Sequence, residues 1–261
     1  MPKTNFTYTE IPGSRKNEVL ISLSNRGFKS FNSSILGLGD ISEEGEYVQA
    51  LAAIFDLEGF TPFSNQVDSH LVIPEFLKRY IDWLFISLAE EFKHGEKANR
   101  ITLWADLPIF TKFLGDGLLL LWDTSDTSPT VIYNIVGSLY QIIIRYQTEF
   151  LPLMKKHVSN PPSKLRCGVA RGQIITIGEG NDFVGPCINI ASRLQKLSQL
   201  TFAISRRGFD LSEVSQHISY FQQFILKKVN IRGVGSEELV YVHKKEFRQL
   251  PLAERKLFEN P

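Results

Sequence analysis

Two aspartates are the residues of this chain best placed to do chemistry. Asp56 lies in IFDLEGFTPF, residues 54 to 63, and Asp116 in TKFLGDGLLLLWD, residues 111 to 123. Each has glycine close by, Gly59 after the first and Gly115 and Gly117 around the second. A single acid at a turn has a plain structural use, because Asp-Gly between apolar runs is a strong hairpin signal in which both central residues take positive φ. Two acids aimed at one point are a different matter. Converging carboxylates repel, so they must be protonated, paired with a cation or bound to metal. Oxygen ligation with open positions favours Mg2+ or Mn2+ completed by substrate phosphates, and a neighbouring glycine lets a phosphate approach the backbone.

Whether the acids meet depends on the elements that carry them. From Gln49, ALAAIFDL reads as a buried strand that delivers Asp56 to its end. PEFLKRYIDWLFISLAEEF (74 to 92) sets Phe76, Leu77, Tyr80, Ile81, Leu84 and Leu88 at spacings of three and four, an amphipathic helix with Pro74 in its first turn. A charged loop, KHGEKANR, leads through ITLWADLPIF to the hairpin that carries Asp116. SPTVIYNIVGSLYQIIIRYQTEF is a second long helix. LRCGVARGQIITIGEG reads as two strands around Arg171 and Gly172, CINIASRLQKLSQ as a short helix, and YFQQFILKKVNIRGVGSEELVYVH as a final hairpin. This βαββαβ order predicts an α+β, ferredoxin-like fold, an antiparallel-rich sheet with helices on one face. Residues 1–45 are expected to form an extension, 46–245 one catalytic-size domain and 246–261 a tail, with no internal repeat or low-complexity linker.

The composition narrows the function. At 261 residues and 43% hydrophobic content the chain can bury a sizeable core. With 29 basic and 28 acidic residues its net charge is +1, so no overall field draws it to nucleic acid or an anionic membrane. Two cysteines, Cys167 and Cys187, make no disulfide framework and suit a reducing compartment. The opening MPKTNFTYTE has no basic segment followed by an apolar one, and no apolar run approaches a membrane span. A soluble, cytoplasmic protein without membrane insertion is expected. His94 and His157 have no metal spacing, Trp83, Trp104 and Trp122 suit the core or an interface, and Ser192 and Cys187 lack a placed base for nucleophilic work.

FDLEGFTPF, KFLGDGLLLLWD, and RCGVARGQIITIG followed by DFVGPCINIASRL resemble, in order, the successive motifs of class III nucleotidyl cyclase catalytic domains, over about residues 49 to 243. The chain is more closely similar to the pyrimidine cyclases of bacterial Pycsar antiphage systems, through LGDIS (38 to 42), FDLEGFT and KFLGDGLLLLWD. The resemblance implies conversion of a pyrimidine ribonucleoside triphosphate, UTP ahead of CTP, to its 3′,5′-cyclic monophosphate and pyrophosphate. The cyclic product would act on a separately encoded effector. By matched position, Asp56 and Asp116 would bind two divalent metal ions, Mg2+ or Mn2+, with the Leu57 carbonyl a lesser ligand. Lys112 and Asp182 match base contacts, Asn189 would orient the ribose and Arg193 would face the reacting phosphate. Arg232, in NIRGVG, would reach the terminal phosphates. In the family the site lies between two copies of the chain, the metal acids from one and the base, ribose and arginine contacts from the other. One departure is Gln173, where mammalian cyclases often carry a basic residue after the glycine.

Lys112 supplies a donor and Asp182 an acceptor, which suits adenine, cytosine or uracil alike, so this pair does not choose the base. The rival readings are an adenylate cyclase with the same site residues, a catalytically inactive cyclase-like binding module, and an RNA-binding sheet. The last needs exposed aromatics in a pattern such as Lys-Gly-Phe-Gly-Phe-Val on central strands, which the chain lacks.

Overall fold

The computed structural model describes residues 6–12, 19–42, 44–178, 180–211 and 219–261; the first five residues of the opening segment lie outside these. In chain order the strands are β1 (Tyr8–Pro12), β2 (Val19–Leu23), β3 (Tyr47–Glu58), β4 (Lys93–Lys97), β5 (Arg100–Leu103), β6 (Phe110–Phe113), β7 (Gly117–Asp123), β8 (Lys164–Ile177), β9 (Asp182–Val184), β10 (Phe202–Ser205), β11 (Phe224–Ile231), β12 (Gly235–His243) and β13 (Phe258–Glu259). The helices used below are α1 (Asn25–Ser30), α2 (Phe60–Ser64), α3 (Ser69–Phe92), α4 (Pro129–Arg145), α5 (Leu151–Met154) and α6 (Pro186–Leu194). Among the described residues no helix is long and apolar enough to cross a membrane.

Contacts divide the chain into two compact units, Met1–Glu46 with Ile175–Val184, and Tyr47–Ile174 with Gly185–Pro261. In the first, β1 and β2 form an antiparallel hairpin followed by α1, whose Ser24 cap accepts the Gly27 N–H at 3.0 Å. The end of β8 pairs with β9, Thr176 gives its N–H to the Glu46 carbonyl at 3.1 Å, and Asn181 donates to the Leu38 carbonyl at 3.2 Å. The LGDIS segment is tied down by this hairpin, with Asp40 accepting from the N–H and hydroxyl of Ser42.

The second unit holds the expected βαββαβ series, β3-α3-β6-β7-α4-β8, and the sheet order β8-β3-β7-β6 is that of a ferredoxin-like fold. Beyond β8 the sheet continues through β10, β12, β11 and β13. The pairings β3–β7, β6–β7, β10–β12, β11–β12 and β11–β13 are antiparallel, and β8–β10 is parallel, so the α+β class is borne out with a mixed, mostly antiparallel sheet. β3 is buried at every position from Ala50 to Leu57, the signature of a central strand covered on both sides. Leu51, Ala53, Phe55 and Leu57 join the main core with Phe76, Tyr80 and Leu84 of α3 and Ile135, Leu139 and Ile142 of α4. α4 starts where Ser128 accepts the Val131 N–H and Pro129 takes the first turn.

Four expectations are corrected. The sheet is covered on both faces: on β8, Leu165, Cys167 and Val169 face the α3–α4 core, and the alternate Gly168 faces α6. α3 begins at Ser69, so Pro74 lies inside it, where its missing N–H leaves the His70 carbonyl without a helical donor. KHGEKANR is no loop; it supplies β4 and the turn into β5, with Ala98 at φ 49° and Asn99 at φ 60°. β4, KHGEK, lacks the apolar alternation by which strands are read. KLRCGVARGQIITI is one fourteen-residue strand, because Gly172 stays in extended backbone instead of turning.

α6 lies close on β8: a Cβ built at Gly168 would fall 2.2 Å from the Ala191 carbonyl oxygen and 2.5 Å from the Gln195 nitrogen. Those are backbone atoms, which cannot swing aside. Gly168→Ala is therefore expected to cost about 2 kcal/mol or more, in the upper range for overpacking, as read by urea denaturation of the purified chain.

Candidate active site

The register of β3 on β7 decides where the acids stand. Asp56 is opposite Gly117, so Asp116, one residue earlier, projects from the tip beside it. The tip is a two-residue turn closed by the Leu114 N–H on the Gly117 carbonyl at 2.9 Å. Only Gly115, at φ 100°, takes positive φ. The turn is thus Gly-Asp with glycine first, as in a type II′ hairpin, and not the Asp-Gly turn expected from the sequence. Gly117 has another duty: a Cβ there would fall 2.3 Å from the Phe55 carbonyl oxygen, so the glycine serves strand pairing and not phosphate approach. Gly115, with nothing within 4 Å of where a Cβ would stand, and Gly59, at φ 88° with only the Ser163 nitrogen at 4.0 Å, are the glycines beside the acids that leave room.

Asp56 is 7% exposed and Asp116 half-buried. Burial pushes the Asp56 carboxyl above the ordinary carboxylate range, the Arg166 guanidinium pulls it back, and the negative charge of Asp116 pushes it up again. The two acids therefore feel one another. Arg166 Nη2 donates to Asp56 Oδ2 at 3.0 Å, and Lys196, just past α6, adds positive charge. Two residues on, Glu58 lies 3.7 Å from Arg166 Nη1 and 3.6 Å from Lys164 Nζ. Arg166 is the site residue that the motif reading missed. Its signal was available: Asp56 and Glu58 alternate on β3, Lys164 and Arg166 alternate on β8, and opposite charges at two-residue spacing on two strands are a cross-strand pair.

The remaining candidates are placed as follows. Leu57 is 2% exposed with its side chain in the core, which leaves its main-chain carbonyl for a ligand role. α6 packs on the sheet face that carries Asp56 and Arg166, pressing Cys187, Ile190, Ala191 and Leu194 inward. Asn189 and Arg193, four residues apart, are exposed on its outer side. Lys112 is half-buried on the edge strand β6, opposite Leu119. Asp182 belongs to the first unit, where its carboxylate accepts the Phe183 N–H at 2.9 Å. Arg232 is exposed at the β11–β12 turn, four strand spacings from β3. At about 4.8 Å each that is about 19 Å, so one chain does not bring Arg232 to the acids.

Burial pushes the Cys187 thiol up to about 11, which keeps it protonated and unreactive. Trp122 is fully buried with its N–H on the Asp106 carbonyl at 2.8 Å, and Trp83 packs on Phe150. Trp104 is exposed and meets His94, which sits on β4.

The donor set fits divalent ions that take some of their ligands from substrate. Among the described residues no cluster of three or more His, Cys, Asp or Glu side chains encloses an ion. Two converging carboxylates, one already holding a cationic group, and an adjacent carbonyl form an open oxygen site of the kind that phosphate oxygens complete.

The sequence matches no protein-family model and no curated protein. Solved structures do match. The adenylyl cyclase CyaB from P. aeruginosa superposes with a TM-score of 0.56 at 14% identity, over 77% of this chain and 96% of that one. The guanylyl cyclase Cya2 gives 0.54 at 15% identity, over 77% and 94%. The fold is that of a class III nucleotidyl cyclase domain. In this cyclase fold Asp56 lies two residues before the end of the first strand of the βαββαβ series and Asp116 sits at the tip of its hairpin.

Because the folded value of Asp56 is raised, its contribution to stability is fully present below the unfolded carboxylate value of about 3.9 and is lost as pH rises through the folded one. Asp56→Asn cannot ionise. Without divalent ions it should melt close to wild type near pH 4 and above wild type at pH 8. Equal melting temperatures across that range would mean that Arg166 fully offsets the burial of the charge.

Proposed function

We propose that the chain is a nucleotidyl cyclase that converts a ribonucleoside triphosphate to its 3′,5′-cyclic monophosphate and pyrophosphate. The observation that carries this reading is the convergence of Asp56 and Asp116 at the ends of paired strands in a cyclase fold.

Asp56 and Asp116 would hold the divalent ions, with the Leu57 carbonyl beside them. Ions bound there would supply positive charge to the triphosphate and acidify the 3′ hydroxyl. In the reaction the 3′ oxygen loses its proton and bonds to the α phosphorus in line. The bond from that phosphorus to the bridging oxygen of the β phosphate breaks, and pyrophosphate leaves. Asn189 would orient the ribose so that the 3′ oxygen lies within reach, a positioning effect that can supply much of a rate enhancement. The Arg193 guanidinium would aim its fork of donors at the phosphoryl oxygens, where charge builds. Lys112 and Asp182 would meet the base edge, and Arg232 the terminal phosphates. The outward placement of Asn189 and Arg193, and the distance of Arg232 from the acids, suit a homodimer with shared sites.

The base is read from resemblance. LGDIS, FDLEGFT and KFLGDGLLLLWD favour a pyrimidine substrate, UTP ahead of CTP, and a cyclic product that signals to a separate effector in antiphage defence. A purine cyclase is the second reading, favoured by the solved neighbours, which are adenylyl and guanylyl cyclases.

Incubation of the purified chain with all four ribonucleoside triphosphates and Mn2+, followed by mass spectrometry, should reveal one dominant cyclic monophosphate. Cyclic UMP or CMP supports the first reading, and cyclic AMP or GMP the second. Asp116→Ala should reduce product to background. Arg193→Ala should lower kcat on the order of a thousandfold, as for arginines that face a transferring phosphoryl group elsewhere. No cyclic product from the wild type under any of these conditions would instead favour an inactive binding module.

A further inference from the structure

We propose that Arg166 is an exchangeable counter-ion, which passes from Asp56 to Glu58 when a divalent ion takes the Asp56 carboxylate and so sets how tightly the site holds metal. The inference rests on the cyclase reading and assigns Arg166 a positioning role within it.

The guanidinium is incompletely used where it stands. Nη2 donates to Asp56 Oδ2 at 3.0 Å, whereas Nη1 lies 3.7 Å from Glu58 Oε2, beyond hydrogen-bond range. Arg166 Nε and Glu58 Oε2 are both buried without a hydrogen-bond partner among the described residues. An arginine placed only to brace a fold commonly grips a carboxylate with two parallel bonds. Here one bond is made, and a second carboxylate waits within a small side-chain movement. Lys164 Nζ, 3.6 Å from Glu58 Oε1, steadies the far oxygen and leaves Oε2 facing Arg166.

A divalent ion on Asp56 would meet this guanidinium on the same carboxylate. Two cationic groups a few ångströms apart in a poorly solvated site repel strongly. Moving onto Glu58 relieves the repulsion, fills the unused Oε2 and keeps the arginine paired. The exchange requires no backbone motion, because both acids lie on one face of β3 and Arg166 on the neighbouring β8.

The test is a double-mutant cycle read by Mn2+ binding, with free Mn2+ followed by electron paramagnetic resonance and no nucleotide present. Glu58→Gln should weaken Mn2+ binding about tenfold in the wild-type background, the size of a single close coupling. In the Arg166→Met background the same substitution should change it by less than about twofold. Equal effects in both backgrounds would mean that Glu58 acts through space, and the exchange is overturned. Should Arg166→Met fail to fold, crystals of the wild type grown with Mn2+ decide the matter. A guanidinium on Glu58 supports the exchange, and one still on Asp56 overturns it. A wild type that binds no Mn2+ removes the metal reading itself, and this inference with it.

Discussion

Ionising Asp56 inside a sheet, next to a second acid, is the constraint around which the site is arranged. The carboxylate is almost wholly out of water, and Asp116 adds a like charge at the adjoining hairpin tip. Nearby structure answers that cost. Arg166 bonds to it from the neighbouring strand, Lys196 contributes from beyond α6, and Lys164 and Glu58 extend the charges into an alternating set of both signs. Of the three ways to keep converging acids together, protonation, a cation or a metal, the chain supplies the second and leans toward the first.

The glycines follow from the same geometry. Gly117 lets β7 approach the Phe55 carbonyl, and this close pairing brings Asp116 beside Asp56. Gly168 performs the equivalent task on the other flank, admitting the α6 backbone against β8. α6 therefore lies flat on the acid-bearing face with its apolar side down and Asn189 and Arg193 outward. One face of the sheet is filled by α3 and α4, and the other carries Asp56 and Arg166 beneath α6. A strand buried at every position from Ala50 to Leu57 is the result.

Parts of this were legible from residue order alone. The buried strand, the two long helices, the Asp116 hairpin and the closing hairpin all announce themselves through apolar period and turn chemistry, and they suffice for the βαββαβ series. Other parts were misread for local reasons. β4, KHGEK, has no apolar residue, so it carries no alternation. The glycine of the Arg171–Gly172 pair suggested a turn, yet its backbone stays extended within one strand. The tip of the Asp116 hairpin came out one residue off, because Gly-Asp and Asp-Gly are both present and only the strand register separates them.

The sequence by itself determined which residues could carry charge to a phosphate and in what order the strands and helices would come, since both depend on side-chain type and short-range period. Tertiary structure alone decided that Asp56 and Asp116 share a point, that Arg166 and Glu58 belong to it, that Arg232 does not join them within one chain, and that helices cover both faces of the sheet. The reason is that strand neighbours here are far apart in the chain. β3 lies between β7 and β8, roughly sixty and one hundred residues away, and no local pattern specifies which long-range pairing will bring which side chains together.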